Sequence, residues 1–116
     1  DDGFTILVGR NNIQNDKLTF KDSRKNDIWL HTQKIHGSHT VIVTEGREVP
    51  ETTIQQAAIV AAYNSKARES SLVPVDYTEI KNVKKPSGSA PGKAVYEHYK
   101  TAYVRPAQFD NIFGNK

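Results

Sequence analysis

The apolar residues of the chain fall into several short runs typical of strands and one longer segment typical of a helix. Residues 4–8 are largely apolar and β-branched and lie between two glycines, which predicts a strand. Residues 27–33 and 39–45 predict two more strands, and the short glycine-containing link between them predicts a β-hairpin. Residues 51–67 instead repeat apolar residues at the three- and four-residue spacing of a helix.

The second half of the chain predicts further strands around one exposed loop. Residues 73–83 begin with alternating apolar and polar side chains, as a half-buried strand does. Residues 84–93 contain two prolines, two glycines and three lysines, a composition typical of a loop. Residues 94–99 and 101–105 are two further strand candidates, whereas the tail from residue 106 is weakly patterned and predicted to be frayed.

Two segments carry signals for the start of a helix. Residues 10–26 are polar, and Asn15 or Asp16 is expected to cap a short helix if one forms there. In the long helical segment, Thr52 and Thr53 each precede a glutamine by three residues, which is the spacing of a capping box. Strands on both sides of one helix predict an α+β fold: a single domain with a mixed β-sheet and one long helix packed on a face.

Length and composition fit one small folded domain. The chain has 116 residues and neither cysteine nor methionine, and this length is usual for one domain. Missing cysteine excludes thiol catalysis, thiolate metal ligands and redox switching. Because residue 1 is not methionine, we expect a fragment of a longer protein, with a core over about residues 3–105 and a tail over residues 106–116. Since no run of 18 residues is apolar, we expect no membrane insertion.

Positive charge is concentrated in one part of the chain. The formal net charge is only +3, but residues 81–105 alone hold six cationic side chains and one acidic side chain. Three tyrosines, Tyr96, Tyr99 and Tyr103, lie in the same segment. Cations that neutralise phosphates and rings that stack on bases are the features that RNA binding requires, although a solvated loop with ordinary core tyrosines has the same composition.

Candidate catalytic and metal-binding patterns are weak. His31, His36 and His39 lie within nine residues, but no cysteine completes a metal-ligand set, so we expect no metal and interpret them as surface or hydrogen-bonding residues. The segment 88–93 is not a phosphate-binding P-loop, because three residues rather than four separate its glycines and Ala94 follows the lysine. No acid–base pair or nucleophile elbow is evident, so we expect no catalytic residue, no cofactor and no enzymatic activity.

Residues 10–16 combine an arginine with four amide side chains directly after a strand. Such side chains either fix a loop through hydrogen bonds to its backbone or recognise base edges and phosphates. The residues alone do not distinguish these two roles.

Four ordered blocks of the sequence resemble the NFACT-R family. They are VGRNNIQNDKLT at residues 8–19, DIWLHTQ at 27–33 with GSH at 37–39, the helical segment 57–66, and VDYT at 75–78 continuing to KKPSGSAPG at 84–92. The resemblance extends over about residues 3–105. Two positions depart from the family pattern: His36 stands where the family usually has proline, and Thr40 where it often has valine. Thr40 therefore brings a hydroxyl to a position that is usually apolar.

The resemblance implies an RNA-binding module from the C-terminal part of a larger ribosome quality-control protein. The expected partners are tRNA and the large ribosomal subunit, and the expected location is the cytoplasm, on ribosomes. Some relatives are described as surface adhesins, so the alternative is a module that binds fibronectin at the cell surface without a conventional secretion signal.

The resemblance and the charge distribution together predict eleven RNA-binding residues. They comprise the polar segment after the first strand, the ring-bearing residues of the hairpin and four lysines expected to contact phosphates. These residues are Arg10, Asn11, Asn12, Asp16, Trp29, His31, His39, Lys81, Lys84, Lys85 and Lys93.

Overall fold

The computed structural model describes residues 3–113, which contain seven strands and three α-helices. In chain order they are β1 (Thr5–Val8), α1 (Asn12–Lys17), β2 (Ile28–Thr32), β3 (Thr40–Val43), α2 (Glu51–Tyr63), β4 (Val73–Glu79), β5 (Val83–Lys84), β6 (Val95–Tyr96), β7 (Lys100–Val104) and α3 (Gln108–Phe113). A π-helical turn, Leu18–Asp22, continues α1, and a 3₁₀ turn, Ile80–Asn82, joins β4 to β5.

Five of these strands form one sheet in the order β1-β3-β2-β4-β7, and β5 pairs with β6 in a separate ribbon. The α+β class and the β2–β3 hairpin are confirmed. The sheet was expected to be mixed, but every pairing among the described strands is antiparallel. The reason is that α2 does not serve as a crossover between parallel neighbours: it returns the chain so that β4 runs antiparallel to β2.

Strand alternation gives the sheet two buried faces. Leu30 and Ile42 face α2 and join its buried side chains in the larger core. Trp29 and Val41, their neighbours along β2 and β3, point to the opposite face and pack with Leu18 in a second, smaller core. The buried side of α2 is rich in alanine (Ala57, Ala58, Ala61 and Ala62), whose small side chains allow the helix to approach the sheet closely.

The long helix differs from its prediction at both ends. It begins at Glu51, directly after Pro50, so neither Thr52 nor Thr53 is the N-cap residue that the prediction required, and Thr53 is instead a buried residue of the first turn. It ends at Tyr63 rather than at residue 67, because the following backbone turns to pair with the hairpin link: Ser65 bridges Gly37.

The first helix begins one turn earlier than predicted. Its N-cap is Asn11, whose side chain accepts the backbone N–H of Gln14 at 2.8 Å, so neither Asn15 nor Asp16 has that role. Asn15 is buried instead, and its amide oxygen accepts the backbone N–H of His39 at 3.1 Å. Residue type alone did not separate these asparagines, because Asn11 and Asn15 are chemically identical and differ only in what surrounds them in the fold.

The C-terminal segment is more ordered than its pattern predicted. Residues 108–113 form α3, and its Phe109 ring stacks on Tyr63 of α2 with centroids 3.8 Å apart. The remainder of the expected frayed tail, residues 114–116, lies outside the described residues. Between residues 3 and 113, no helix has the length and apolar character needed to cross a membrane.

Candidate nucleic-acid interface

Four rings meet on the sheet face opposite α2, and we call them the aromatic cluster: Trp29, His31, His39 and Tyr96. The Trp29 ring centroid lies 4.8 Å from that of Tyr96 and 5.2 Å from that of His39. His31 lies 5.7 Å from Trp29 with nearly parallel ring planes. Trp29 and His39 are each 1% exposed, whereas His31 and Tyr96 are half-buried. The latter two are therefore the rings of the cluster that a ligand can reach.

Hydrogen bonds fix the His39 ring in one neutral tautomer. Its Nε2 lies 3.1 Å from the carbonyl oxygen of Gly92, which only accepts, so the Nε2 hydrogen is donated there. Its Nδ1 lies 2.6 Å from the hydroxyl of Thr19, which itself accepts the Trp29 indole N–H at 3.1 Å. Nδ1 therefore accepts the Thr19 hydrogen. Burial, together with the nearby His31, lowers the pKa of His39 to about 4, which agrees with a neutral ring.

Residues 84–93, which we call the basic loop, are anchored to α1 by Asp16. The Asp16 carboxylate accepts hydrogen bonds from the Lys85 ammonium at 2.7 Å and from the Gly92 N–H at 3.2 Å. The bond from Lys85 holds the pKa of Asp16 below its usual value. Gly92 has φ +88°, and a β-carbon there would lie 2.9 Å from the amide oxygen of Asn12, so this close approach requires glycine. The loop is thereby held beside the aromatic cluster.

A pocket of about 520 Å³, which we call the front pocket, opens beside the aromatic cluster. All four rings of the cluster line it, together with Lys34 and His36 from the hairpin link and Lys93 from the basic loop. A groove of about 310 Å³ adjoins it through the shared residues Asn12, His36 and Gly37 and adds Arg10, Lys66 and Arg68.

We call these two depressions together the basic groove, because among the described residues no aspartate or glutamate lines either of them. The other described depressions are different: Glu48, Glu51 and Glu79 line one, Asp27 and Glu45 another, and Asp76 a third. Cations without neighbouring carboxylates give a positive potential that attracts anionic ligands. Of these depressions, the basic groove is therefore the one whose lining best suits phosphate groups.

A buried carboxylate holds Tyr96, one of the two half-buried rings of the cluster, in place. Asp76 of β4 is 1% exposed and accepts the Tyr96 hydroxyl at 2.6 Å, the Thr101 hydroxyl at 2.7 Å and the Gln33 amide at 3.0 Å. Burial raises the pKa of Tyr96, and the bond to Asp76 raises it further, so the tyrosine hydroxyl stays protonated and donates. The Tyr96 ring is thus fixed at the edge of the front pocket.

Comparison with known proteins assigns this arrangement to a family. The family model described as "NFACT protein RNA binding domain" matches residues 1–96. The chain belongs to this family. The NFACT domain is 54% identical over 104 residues to the Rqc2 homolog RqcH of Bacillus subtilis and 47% identical over 108 residues to that of Streptococcus suis. These matches cover 90% and 92% of the chain but only 18% and 19% of the two relatives.

A solved structure has the same fold as this NFACT domain. It is the C-terminal part of the fibronectin/fibrinogen-binding protein from Streptococcus suis, with 47% sequence identity and a TM-score of 0.85. The match covers 90% of this chain and 41% of that one. The chain thus spans about a fifth of the length of the two curated relatives and less than half of this solved chain.

The structure brings together seven of the eleven residues predicted to bind RNA. Asn12, Trp29, His31, His39 and Lys93 line the front pocket, and Arg10 and Asn11 line the adjoining groove. Trp29 and His39 lie beneath its surface, because each is 1% exposed.

Four predicted residues lie outside the basic groove of the NFACT domain. Asp16 and Lys85 are paired with each other, as described above. Lys81 lies 3.2 Å from a carboxylate oxygen of Glu79, and Lys84 is exposed on β5 opposite Val95. The four predicted lysines, which lie close together in the sequence, are therefore distributed over separate parts of the surface.

Several residues of the groove were not selected from the sequence. Lys34, Lys66 and Arg68 come from the hairpin link and from the turn after α2, and no local pattern connects them. The Gly37–Ser65 bridge and the hydrogen bond from the Lys66 N–H to the His36 carbonyl, 2.9 Å, bring these two segments together. Tyr96 did have a signal, since it lies within the basic, tyrosine-containing segment.

The amides after β1 stabilise the backbone, which is one of the two roles left open by the sequence. Asn11 caps α1, Gln14 accepts the Arg10 N–H at 2.9 Å, and Asn15 accepts the His39 N–H. The histidines form no metal site within residues 3–113, where no group of three potential ligands is close enough to hold an ion. His31 and His39 do meet, with ring centroids 5.6 Å apart, but their ring nitrogens face carbonyl and hydroxyl oxygens.

Proposed function

We propose that this NFACT domain binds RNA in the basic groove. The observation that supports this assignment is that two adjoining depressions combine five cationic residues with half-buried rings, and that no carboxylate from residues 3–113 lines them. The cationic residues are Arg10, Lys34, Lys66, Arg68 and Lys93. Ammonium and guanidinium groups neutralise phosphates, and aromatic rings stack on unpaired bases, so both parts of an RNA strand have a matching surface.

At the level of the whole protein, we propose that the domain serves a ribosome quality-control factor. The sequence identity between this domain and the Rqc2 homologs supports this role. The RNA-containing partners implied by such a role are tRNA and the large ribosomal subunit. The proposed contribution of the domain is affinity and orientation, because the cations and rings of its groove match the phosphates and bases of RNA. The remaining parts of the factor, outside this chain, would supply the other contacts.

The test is the salt dependence of tRNA binding by the 116-residue chain. Binding should weaken steeply between 50 and 200 mM salt, and each lost phosphate contact should reduce the slope of log K against log salt by about 0.7–0.9. Lys34→Ala with Lys66→Ala should lower the slope by about 1.5. The matched double variant Lys81→Ala with Lys84→Ala tests the lysines favoured by the sequence.

If Lys34→Ala with Lys66→Ala lowers the salt slope more than the second double variant, RNA binding in the basic groove is supported. If Lys81→Ala with Lys84→Ala lowers it more, the phosphate contacts are instead made by the lysines predicted from the sequence. Binding that ignores salt and survives both double substitutions contradicts the proposed function.

Fibronectin binding is the second candidate, and it is supported by the similarity to the Streptococcus suis fibronectin/fibrinogen-binding protein. The edge strands β1 and β7 expose Leu7 (40%) and Tyr103 (63%) and leave one side of each strand unpaired within the described sheet. A partner strand pairs with such an edge. Saturable binding of the chain to immobilised fibronectin, reduced by Leu7→Lys or Tyr103→Lys, is the expected result, and no saturable binding contradicts it.

A further inference from the structure

We propose that the front pocket takes one unpaired nucleotide, with its base against Tyr96 and His31 and its phosphate near Lys34 and Lys93. This inference rests on the proposed RNA binding and specifies the form of RNA that the groove accepts. Single-stranded RNA, or a loop or end with a splayed base, should bind in preference to a duplex.

The dimensions and lining of the pocket fit one nucleotide. A volume of about 520 Å³ lies within the roughly 300–1,000 Å³ of small-molecule sites. A paired base inside an A-form helix is stacked on both sides and cannot enter such a concave site. Proteins that recognise unpaired RNA instead stack the splayed base on aromatic side chains. The front pocket presents two such rings to solvent, His31 and Tyr96, above the fully buried Trp29.

Both rings are held in position before any ligand binds. The Tyr96 hydroxyl donates to the buried Asp76 at 2.6 Å, and the ring packs on Trp29. The two nitrogens of His31 lie 2.8 Å from the Thr32 carbonyl oxygen and 3.2 Å from the Gly37 carbonyl oxygen. Because both oxygens only accept, the neutral ring donates its single N–H to one of them and is oriented by that bond. Rings that are already ordered lose little conformational entropy on binding, and this favours stacking.

The backbone at Lys34 points to a ligand role for its side chain. Lys34 has φ +58°, in the left-handed region that favours glycine. Its side chain is exposed at the front pocket. No salt bridge of either Lys34 or Lys93 is found among the described residues. A lysine where glycine would relieve strain places a free cation where the phosphate of a bound nucleotide would lie.

The binding experiment compares four ligands of equal length with the 116-residue chain. They are a single-stranded hexanucleotide RNA, the same strand in a blunt duplex, the strand with abasic sites and a DNA version. Trp29 is the only tryptophan and lies under both rings, so its fluorescence reports base stacking. We expect the single strand to change this fluorescence and to bind roughly 5- to 150-fold more tightly than the abasic strand.

Substitutions separate the base contact from the phosphate contact. Tyr96→Leu should weaken binding of the single strand by about tenfold and leave the abasic strand unaffected, whereas Tyr96→Phe should retain the stacking. Lys34→Gly should weaken both strands without loss of stability, because glycine accepts the left-handed conformation. Lys25→Ala removes an exposed lysine outside the groove and serves as the control.

The outcomes distinguish this inference from the proposed function. Equal affinity for the duplex, the abasic strand and the single strand overturns the nucleotide pocket while leaving RNA binding intact. Wild-type affinity of Tyr96→Leu for the single strand overturns it as well. No binding of any RNA, with tRNA included at low salt, overturns the proposed function itself. Equal binding of the DNA strand supports a base pocket that does not use the 2′-hydroxyl.

Discussion

Acidification from pH 7 to pH 5 should lower the free energy of unfolding by about 2 kcal/mol, because His39 must be neutral in the folded state. Burial lowers its pKa from 6.5 to about 4. Between these values the unfolded chain binds more protons than the folded chain, so stability falls as pH falls. The contribution is fully present above the unfolded value. The difference between the two pKa values corresponds to about 3 kcal/mol for the complete titration.

The hydrogen bonds explain why protonation is unfavourable. A proton on Nδ1 of His39 removes the acceptor of the Thr19 hydroxyl and places a charge in a site that is 1% exposed. His31, whose pKa is also lowered by burial, faces His39 and titrates in the same direction. Asp16 is the nearby carboxylate, and because the hydrogen bond from Lys85 holds its pKa below the usual value of an aspartate, it stays ionised from pH 7 to pH 5 and does not cause the loss.

Urea unfolding at pH 7, 6 and 5, followed by Trp29 fluorescence, measures the loss. His39→Gln should lose most of the pH dependence, and the matched substitution of the 74% exposed His98, His98→Gln, should retain it. If His39→Gln does not fold, an NMR titration of the His39 ring in the unsubstituted chain gives the folded pKa directly. A folded pKa above 6, or an undiminished pH dependence in His39→Gln, would refute the reasoning.

Three substitutions test packing elsewhere. Thr40→Val should raise the free energy of unfolding by about 1–2 kcal/mol, because the Thr40 hydroxyl is buried without a hydrogen-bond partner. Gly9→Ala should lower it by about 1–3 kcal/mol, since a β-carbon at Gly9 would lie 2.0 Å from the amide oxygen of Asn15 and 2.9 Å from its backbone. Phe109→Ala should lower it by about 1 kcal/mol through loss of the stacking on Tyr63. Urea unfolding measures all three.

A matched threonine variant serves as the control for Thr40→Val, and each of the three substitutions has an outcome that would contradict its prediction. Thr19→Val has the same chemistry as Thr40→Val but removes a hydroxyl bonded to two side chains, so it should destabilise the chain by about 1–3 kcal/mol. A Thr40→Val variant that is less stable than the wild type would show that the hydroxyl has a partner. Wild-type stability of Gly9→Ala would show that Asn15 can move, and wild-type stability of Phe109→Ala would show that α3 adds nothing to the core.

The strands and the long helix were predictable because their signal is local. Alternation in β2 places Trp29 and Leu30 on opposite faces whatever their partners are, and the alanine spacing in α2 defines one small-residue face. The ends of the elements were not predictable. The last turn expected in α2 is lost to the Gly37–Ser65 bridge. The first turn of α1 begins at the Asn11 cap, while Asn15, one of the two predicted caps, is buried and binds the His39 N–H.

The candidate site was predicted only in part, because some of its residues have a local signal in the sequence and others are brought there by contacts between distant segments. Trp29 and His31 lie on one face of a predicted strand and the amides follow another predicted strand, so these residues could be selected from the sequence, whereas Tyr96 on β6 was not selected. Most cations of the groove could not be selected from the sequence. Some predicted lysines form ion pairs outside the groove, and the fold brings other cationic residues into it. Asp16 neutralises Lys85 across 69 residues of sequence, while Lys34 and Lys66 are brought together by contacts between two turns.

The sequence by itself determined the secondary-structure classes, the α+β fold and the resemblance that the family match bears out, since periodicity and ordered motifs are properties of consecutive residues. Only the tertiary structure decided that the sheet is antiparallel, that a groove lined by cations borders the aromatic cluster and that His39 is held neutral. Burial, ion pairing and the sign of a surface potential depend on which residues meet in space, and that information is distributed over the whole chain.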